Sequence, residues 1–532
     1  MARQSTCLFA FLTASCAVAQ PVITPTEVVN SASYRIQGMP GSGIAQGSIF
    51  TIFGSGLGPN TLVQAGPLPL PKTLGGTSVA VSVGGQTVSA FILMASGTQV
   101  NALLPSTTPA GSGTVTVTYN NQATPPEPVE IVTASFAPYT FNSSGEGQAI
   151  ATDLNYQLNS IVHSFHPGDS VVLWGTGLGP ISGDDSTAPP VGNLGTPTVH
   201  VGNASVSPQY AGRSADFPGL DQVVFPLPPG IQGCSVPVAV ESNGVLGGIA
   251  TIAVAASGAS CADSMLGSDL VGKLSSGGTV NFGFIQLLAI VLRNESLPTG
   301  IAVPDFAQAT FSQFTPATAG LASYGVSAGY CLATDDPDMS PAQLDAGPDI
   351  SVQGLSVVTL PQLFGGYYYL FFNNSFQFFW SDLQYAVSGS GGSQVGAFSA
   401  IDITGIPSAY FSGITAGQTL SLANDLTVTW TGGNPSLQNG NLIIEGYSTN
   451  SSETVFGAFM CTAPVSAGSF TIPKWVLSLL PATGTGYIGI APYPLGAIWI
   501  GQMNNPVTFQ ATGLDKGILV DEFFSGFPVY FK

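Results

Sequence analysis

Gly47-Ser48-Ile49-Phe50-Thr51-Ile52-Phe53-Gly54-Ser55-Gly56-Leu57-Gly58-Pro59 returns 121 residues later as Gly168-Asp169-Ser170-Val171-Val172-Leu173-Trp174-Gly175-Thr176-Gly177-Leu178-Gly179-Pro180. Each copy is a short apolar run closed by Gly-x-Gly-Leu-Gly-Pro. Two further anchors follow in the same order. Val79–Val83 before Gly84 matches Thr198–Val201 before Gly202, and Gln99-Val100 with Pro105 matches Gln222-Val223 with Pro228. Matches that keep their order along the chain mark an internal duplication.

Around these anchors Val, Ile and Thr alternate with polar residues, as in Thr77–Val83 and Gly113–Tyr119. Period-two patterning buries one face of a strand, and Gly, Pro and Asn punctuate the chain every 8–12 residues or so. Short strands without intervening helices predict β-sandwiches. The glycine runs invite comparison with a phosphate-binding loop, which needs a helix to open directly after the glycines. Pro59 and Pro180 follow instead, so the reading is a tight turn after a core strand.

The duplicated region resembles the IPT/TIG immunoglobulin-like fold. More closely, it is similar to the paired β-modules of a family of secreted β-rich proteins common in soil acidobacteria. The residues that carry this are Val29-Asn30-Ser31-Ala32-Ser33-Tyr34, Pro40–Gly58, Leu74-Gly75-Gly76-Thr77-Ser78-Val79 and the second Gly-x-Gly-Leu-Gly-Pro, over about residues 21–256. Trp430-Thr431-Gly432-Gly433 and Cys461–Pro473 with Leu480-Pro481 resemble C-terminal modules of the same family. The resemblance implies a fold and an extracellular address, and no reaction.

The chain has 532 residues, enough for three or four domains of roughly 150 residues. Hydrophobic residues are 44% of it and charged residues 7%, against about 25% charged in an average soluble domain. Its surface is therefore polar through Ser, Thr, Asn and Gln. A net charge of −19 with nine Lys plus Arg argues against nucleic acid, whose phosphates need several cations, and against anionic membrane surfaces.

Residues 1–19 read as a secretory signal peptide: Arg3, a short apolar run from Cys7 to Ala14, and Ala17-Val18-Ala19 at the cleavage site. No later stretch approaches the ~18 apolar residues of a membrane-spanning helix. A secreted or cell-surface protein with no transmembrane segment in its mature part is the expectation. Four cysteines then remain, an even number that favours disulfides in an oxidising compartment. Cys234 and Cys261 flank two strand-like runs joined by Ser242-Asn243-Gly244, and an antiparallel hairpin would bring them together. Cys331 and Cys461 are the remaining pair.

The predicted architecture is all-β: tandem immunoglobulin-like sandwiches at 20–140 and 141–258, then a C-terminal β-sandwich region, 259–404 and 405–532. One or two short helices belong to that region, within Asp263–Ser276 and from Pro473 to Leu480.

The clearest candidate ligand surface is aromatic. Tyr367, Tyr369 and Phe371 alternate in one run and Phe376, Phe378 and Trp380 in the next, with Asn373-Asn374-Ser375 between them as a hairpin turn. An exposed row of rings would stack on sugar rings, while a packed hairpin would make them core. Asp335, Asp336 and Asp338, with Asp345 and Asp349 nearby, suit either a structural Ca²⁺ or a solvated loop, and Pro337 and Pro341 fit no EF-hand. His163 and His166 lack a third ligand nearby, and His200 sits in a separate strand, so all three read as ordinary residues. No other cofactor is indicated, and nothing positions a catalytic serine or a carboxylate pair.

The function expected is non-catalytic binding or adhesion outside the cell, with an extracellular polysaccharide or a cell-surface protein as partner. A purely structural or protein-interaction module is the first alternative. A secreted hydrolase acting on polysaccharide is the second.

Overall fold

The structure is a computed structural model that describes residues 20–261, 265–293, 305–316, 318, 325–334, 342–371, 379, 383–402, 409–488 and 491–532. Two sandwiches come first. In the first, one sheet runs Val22–Asn30, Ile49–Ser55, Gln99–Leu103, Phe91–Ala95 and Val63–Gln64, and the other is centred on Glu127–Val132, Gly111–Tyr119 and Thr77–Val83. Alternation decides which side chains go inside: Thr77, Val79, Val81 and Val83 are buried while the residues between them are half-exposed. They meet Phe50, Ile52 and Val100 from the opposite sheet in one core.

The second sandwich repeats the plan. Ser170–Thr176 lies between Ala137–Pro138 and Asp221–Pro226, facing a sheet of Ala204–Val206, Thr198–Val201, Gly233–Ser242 and Val245–Val254. The duplication holds to the residue: Phe53 stands opposite Gln99, and Trp174 opposite Gln222. Both glycine runs are turns. Gly56 and Gly177 have φ of 67° and 110°, which a side chain at either position would resist.

Polar contacts join the two sandwiches. The Ile49 N–H donates to Thr176 Oγ1 at 3.0 Å, Asn30 Nδ2 to the Ser135 carbonyl at 3.1 Å, and Ser106 N–H and Oγ to the Asp185 carboxylate at 2.8 and 2.6 Å. Arg213 and Asp221 form a fully buried ion pair there, and Arg213 also donates to the carbonyls of Gly47 and Gly179.

Beyond residue 261 fourteen of the described strands form one sheet. Its centre is a parallel pairing of Val280–Leu292 with Lys516–Pro528, so strands of the 259–404 and 405–532 spans share one sheet. A three-stranded sheet of Ala409–Ser412, Leu426–Gly432 and Ser469–Ile472 packs on it through Phe411, Val428 and Trp430 against Ile444, Phe459 and Ile498. Among the described residues the α-helices are Ser268–Ser275 and Lys474–Leu477, the second opening directly after Pro473. Trp475 of the second lies flat on His200 of the second sandwich, ring centroids 5.2 Å apart.

Both disulfides form. Cys234–Cys261 closes the hairpin of Gly233–Ser242 and Val245–Val254, and Cys331–Cys461 joins residues directly opposite on neighbouring strands. No helix among the described residues is long and apolar enough to cross a membrane.

Candidate functional site: an aromatic cleft beside the module seam

Trp174 faces outward because its neighbours on the strand, Val171 and Leu173, point into the core. Its indole N–H donates to Thr152 Oγ1 at 3.2 Å, which fixes the ring's orientation. Over it lies Tyr156, 74% exposed, with ring centroids 6.3 Å apart and planes 26° from parallel. Asp153 builds the turn that presents Tyr156, its carboxylate accepting the N–H groups of Asn155 and Gln157 at 2.8 Å each. Those donors hold Asp153 below the usual carboxylate range.

Tyr139, Ile150, Ser214, Phe217 and Leu220 complete a cavity of about 530 Å³ with Tyr156 and Trp174. Phe217 is 61% exposed at its rim. The Tyr139 hydroxyl lies 3.0 Å from that of Ser31 in the first module. Burial pushes the Tyr139 phenol well above its ordinary range, so it stays a neutral donor and acceptor. Asp216 is the single charged residue lining this cavity among the described residues. Ring faces, aliphatic walls and a few hydroxyls suit an uncharged ligand with both C–H and O–H groups.

The run expected as a ligand hairpin is found in part. Tyr367–Phe371 is a strand whose hairpin partner is Val357–Phe364, through a turn at Gly365-Gly366, and its other neighbour is Phe306–Phe314. Phe376, Phe378 and Trp380 lie outside the described residues, and Phe379 is buried. Tyr367, Tyr369 and Phe371 share one face, with Tyr368 buried on the other. Phe364, Tyr367 and Tyr369 stack in sequence at 5.2 and 6.2 Å, and Phe306 lies 5.9 Å from Tyr369.

A polar line continues from this row across the sheet. The Tyr367 hydroxyl donates to Gln308 Oε1 at 3.4 Å, Gln308 Nε2 to Gln286 Oε1 at 2.5 Å, and Gln286 Nε2 to Glu522 Oε2 at 2.8 Å. Burial and the neighbouring Glu445 raise Glu522 to about 8. Burial raises Glu445 to about 7 against the indole N–H of Trp499, which donates to it at 2.7 Å.

Asp335, Asp336 and Asp338 lie outside the described residues. Asp345 is an organiser of its own loop: it accepts the N–H and hydroxyl of Ser393 and the N–H of Gly347, which hold it at about 2. Among the described residues no three His, Cys, Asp or Glu come together to hold a metal. His166 contacts Asp169 and the Gly258 carbonyl, while His200 bonds Ser205 and Glu241. A further cleft of about 580 Å³ beside the Cys234–Cys261 bridge is lined by Ser, Gln, Asn and Thr together with Val254, Val326 and alanines, and offers no ring face among the described residues.

Tyr139, Tyr156, Trp174 and Phe217 were not singled out by sequence reasoning. The available signal was the duplication itself, in which Trp174 takes the place of Phe53 with an aromatic kept at an outward position.

No family model matches the chain, and no curated protein matches it. Among solved structures it is similar to SGBP-B of the Bacteroides ovatus mixed-linkage glucan utilization locus in complex with a mixed-linkage heptasaccharide, at 11% identity and TM-score 0.16 over 86% of this chain and 96% of that one. It is similar to domains 5–6 of the S-layer protein SbsC at 15% identity and TM-score 0.16, over 44% of this chain and 98% of that one. Domains A168–A170 of titin match at 11% identity and TM-score 0.14, over 70% and 94%. At such identities and TM-scores these likenesses carry no argument about activity. The chain's own sheets define its class: an all-β, multi-domain protein that opens with tandem immunoglobulin-like sandwiches.

Proposed function

We propose that this chain is an exported, non-catalytic binding protein that works outside the cell or at its surface, and that it holds neutral polysaccharide in the cleft of Tyr139, Tyr156, Trp174 and Phe217. The observation that carries the reading is the cleft itself: a concavity of about 530 Å³ with ring faces and hydroxyls but one carboxylate. Aromatic faces pack against the C–H faces of sugars, and nearby hydroxyls bond theirs. Two formed disulfides agree with an oxidising compartment. The row of Tyr367, Tyr369 and Phe371 is a second surface proposed for the same ligand class, and Phe376, Phe378 and Trp380 are proposed from the sequence alone as part of the same site.

The test is retention of residues 20–532 on insoluble neutral polysaccharides and purified cell wall, with Trp174→Ala and Trp380→Ala alongside. The expected result is retention that Trp174→Ala abolishes without lowering the melting temperature. Loss with Trp380→Ala alone would move the site to the second surface. No retention on any polymer would favour a structural or protein-interaction role.

A further inference from the structure

The aromatic pair of the cleft occurs twice. In the first module Tyr34 lies against Phe53, ring centroids 6.1 Å apart and planes 34° from parallel, as Tyr156 lies against Trp174 in the second. Both tyrosines have left-handed backbones, φ 54° and 63°, a conformation non-glycine residues rarely adopt. Glycine or asparagine would hold such turns with less strain, so the shared feature is the ring that each turn presents.

A smaller cavity of about 220 Å³ opens beside Tyr34 of the first pair, lined also by Ser31, Leu93, Asn101 and Tyr139. Tyr139 therefore belongs to both cavities. Asn101 Oδ1 accepts from Gln99 Nε2 at 2.9 Å and from Thr51 Oγ1 at 3.2 Å, which orients its amide, and among the described residues its NH₂ meets no acceptor.

We infer that the two modules form one groove with two subsites, in which a single neutral glycan chain passes from the Tyr156–Trp174 pair over Tyr139 to the Tyr34–Phe53 pair. This rests on the polysaccharide reading above and adds to it that the ligand is an extended chain, because the two pairs stand at separate cavities that share only Tyr139. The buried contacts between the modules hold the subsites in fixed register, so the chain meets a preorganised surface.

Calorimetry on residues 20–532 with cello- and xylo-oligosaccharides, disaccharides against hexasaccharides, tests this. The hexasaccharide of the series that binds is expected to bind at least about tenfold more tightly than its disaccharide. Tyr34→Ala removes most of that gain, bringing the hexasaccharide close to the disaccharide, whereas Trp174→Ala weakens both by about tenfold. Tyr34→Gly, which tolerates the left-handed turn, repeats the measurement if the alanine variant melts early. Unchanged hexasaccharide affinity in a folded Tyr34 variant, with loss in Trp174→Ala, overturns the second subsite and leaves the first reading standing. Binding by neither oligosaccharide series overturns both.

Discussion

Arg213 and Asp221 stand opposite each other on adjacent strands, 1% and 0% exposed, and together tie both copies of the duplicated motif. Arg213 reaches the Gly47 carbonyl at the start of the first copy and the Gly179 carbonyl at the end of the second. Asp221 accepts the Leu178 N–H at 2.8 Å. Removing one member of a buried pair strands the other charge, so Arg213→Ala is expected to cost about 3–5 kcal/mol. Chemical denaturation reads this directly. A loss within error of zero would mean that water reaches the seam and solvates Asp221.

The buried acids of the large sheet and its neighbours push the pH response one way. Glu522 and Glu445 are raised by burial to about 8 and about 7, Asp402 to about 6, and Asp521 is raised as well. A carboxyl whose folded value lies above its unfolded one binds more protons when folded, so stability falls as pH rises between the two values. Melting temperature is expected to decline from about pH 5 to about pH 8 and then level off. Glu522→Gln should flatten the upper part of that decline. Asp345 acts in the opposite sense: held at about 2, it favours the fold above the ordinary aspartate range and loses that effect as pH drops through its folded value. A melting temperature that climbs toward pH 8 would sink this account.

The sandwiches were legible because their information is local. Alternation in Thr77–Val83 names its own buried face, and Asn243-Gly244, with φ of 54° and 78°, makes the turn that brings Cys234 to Cys261. The large sheet was not legible. Val280–Leu292 pairs in parallel with Lys516–Pro528 across more than two hundred residues, and an apolar strand does not name its partner. The cleft escaped for a related reason. Tyr139, Tyr156 and Trp174 belong to three separate segments, and what makes them a site is the seam, whose central Arg213 looks like any surface arginine in the sequence.

Tyr368 and Tyr369 are sequence neighbours with opposite fates, and their contrast tests which side of the aromatic strand is core. Tyr368 is fully buried, donates its hydroxyl to the Gly347 carbonyl at 2.6 Å and meets Phe311 edge-on at 5.9 Å. Tyr369 is half-exposed and touches Tyr367 and Phe306 on the outer face. Tyr368→Ala empties a packed volume and strands a carbonyl, so a loss of about 3–5 kcal/mol is expected. Tyr369→Ala gives up ring contacts at a surface that water already reaches, for about 1 kcal/mol. Urea denaturation of the two variants separates the cases. Equal losses would mean that the outer face is covered too, and the row of Tyr367, Tyr369 and Phe371 would then be packing with no free surface for a ligand.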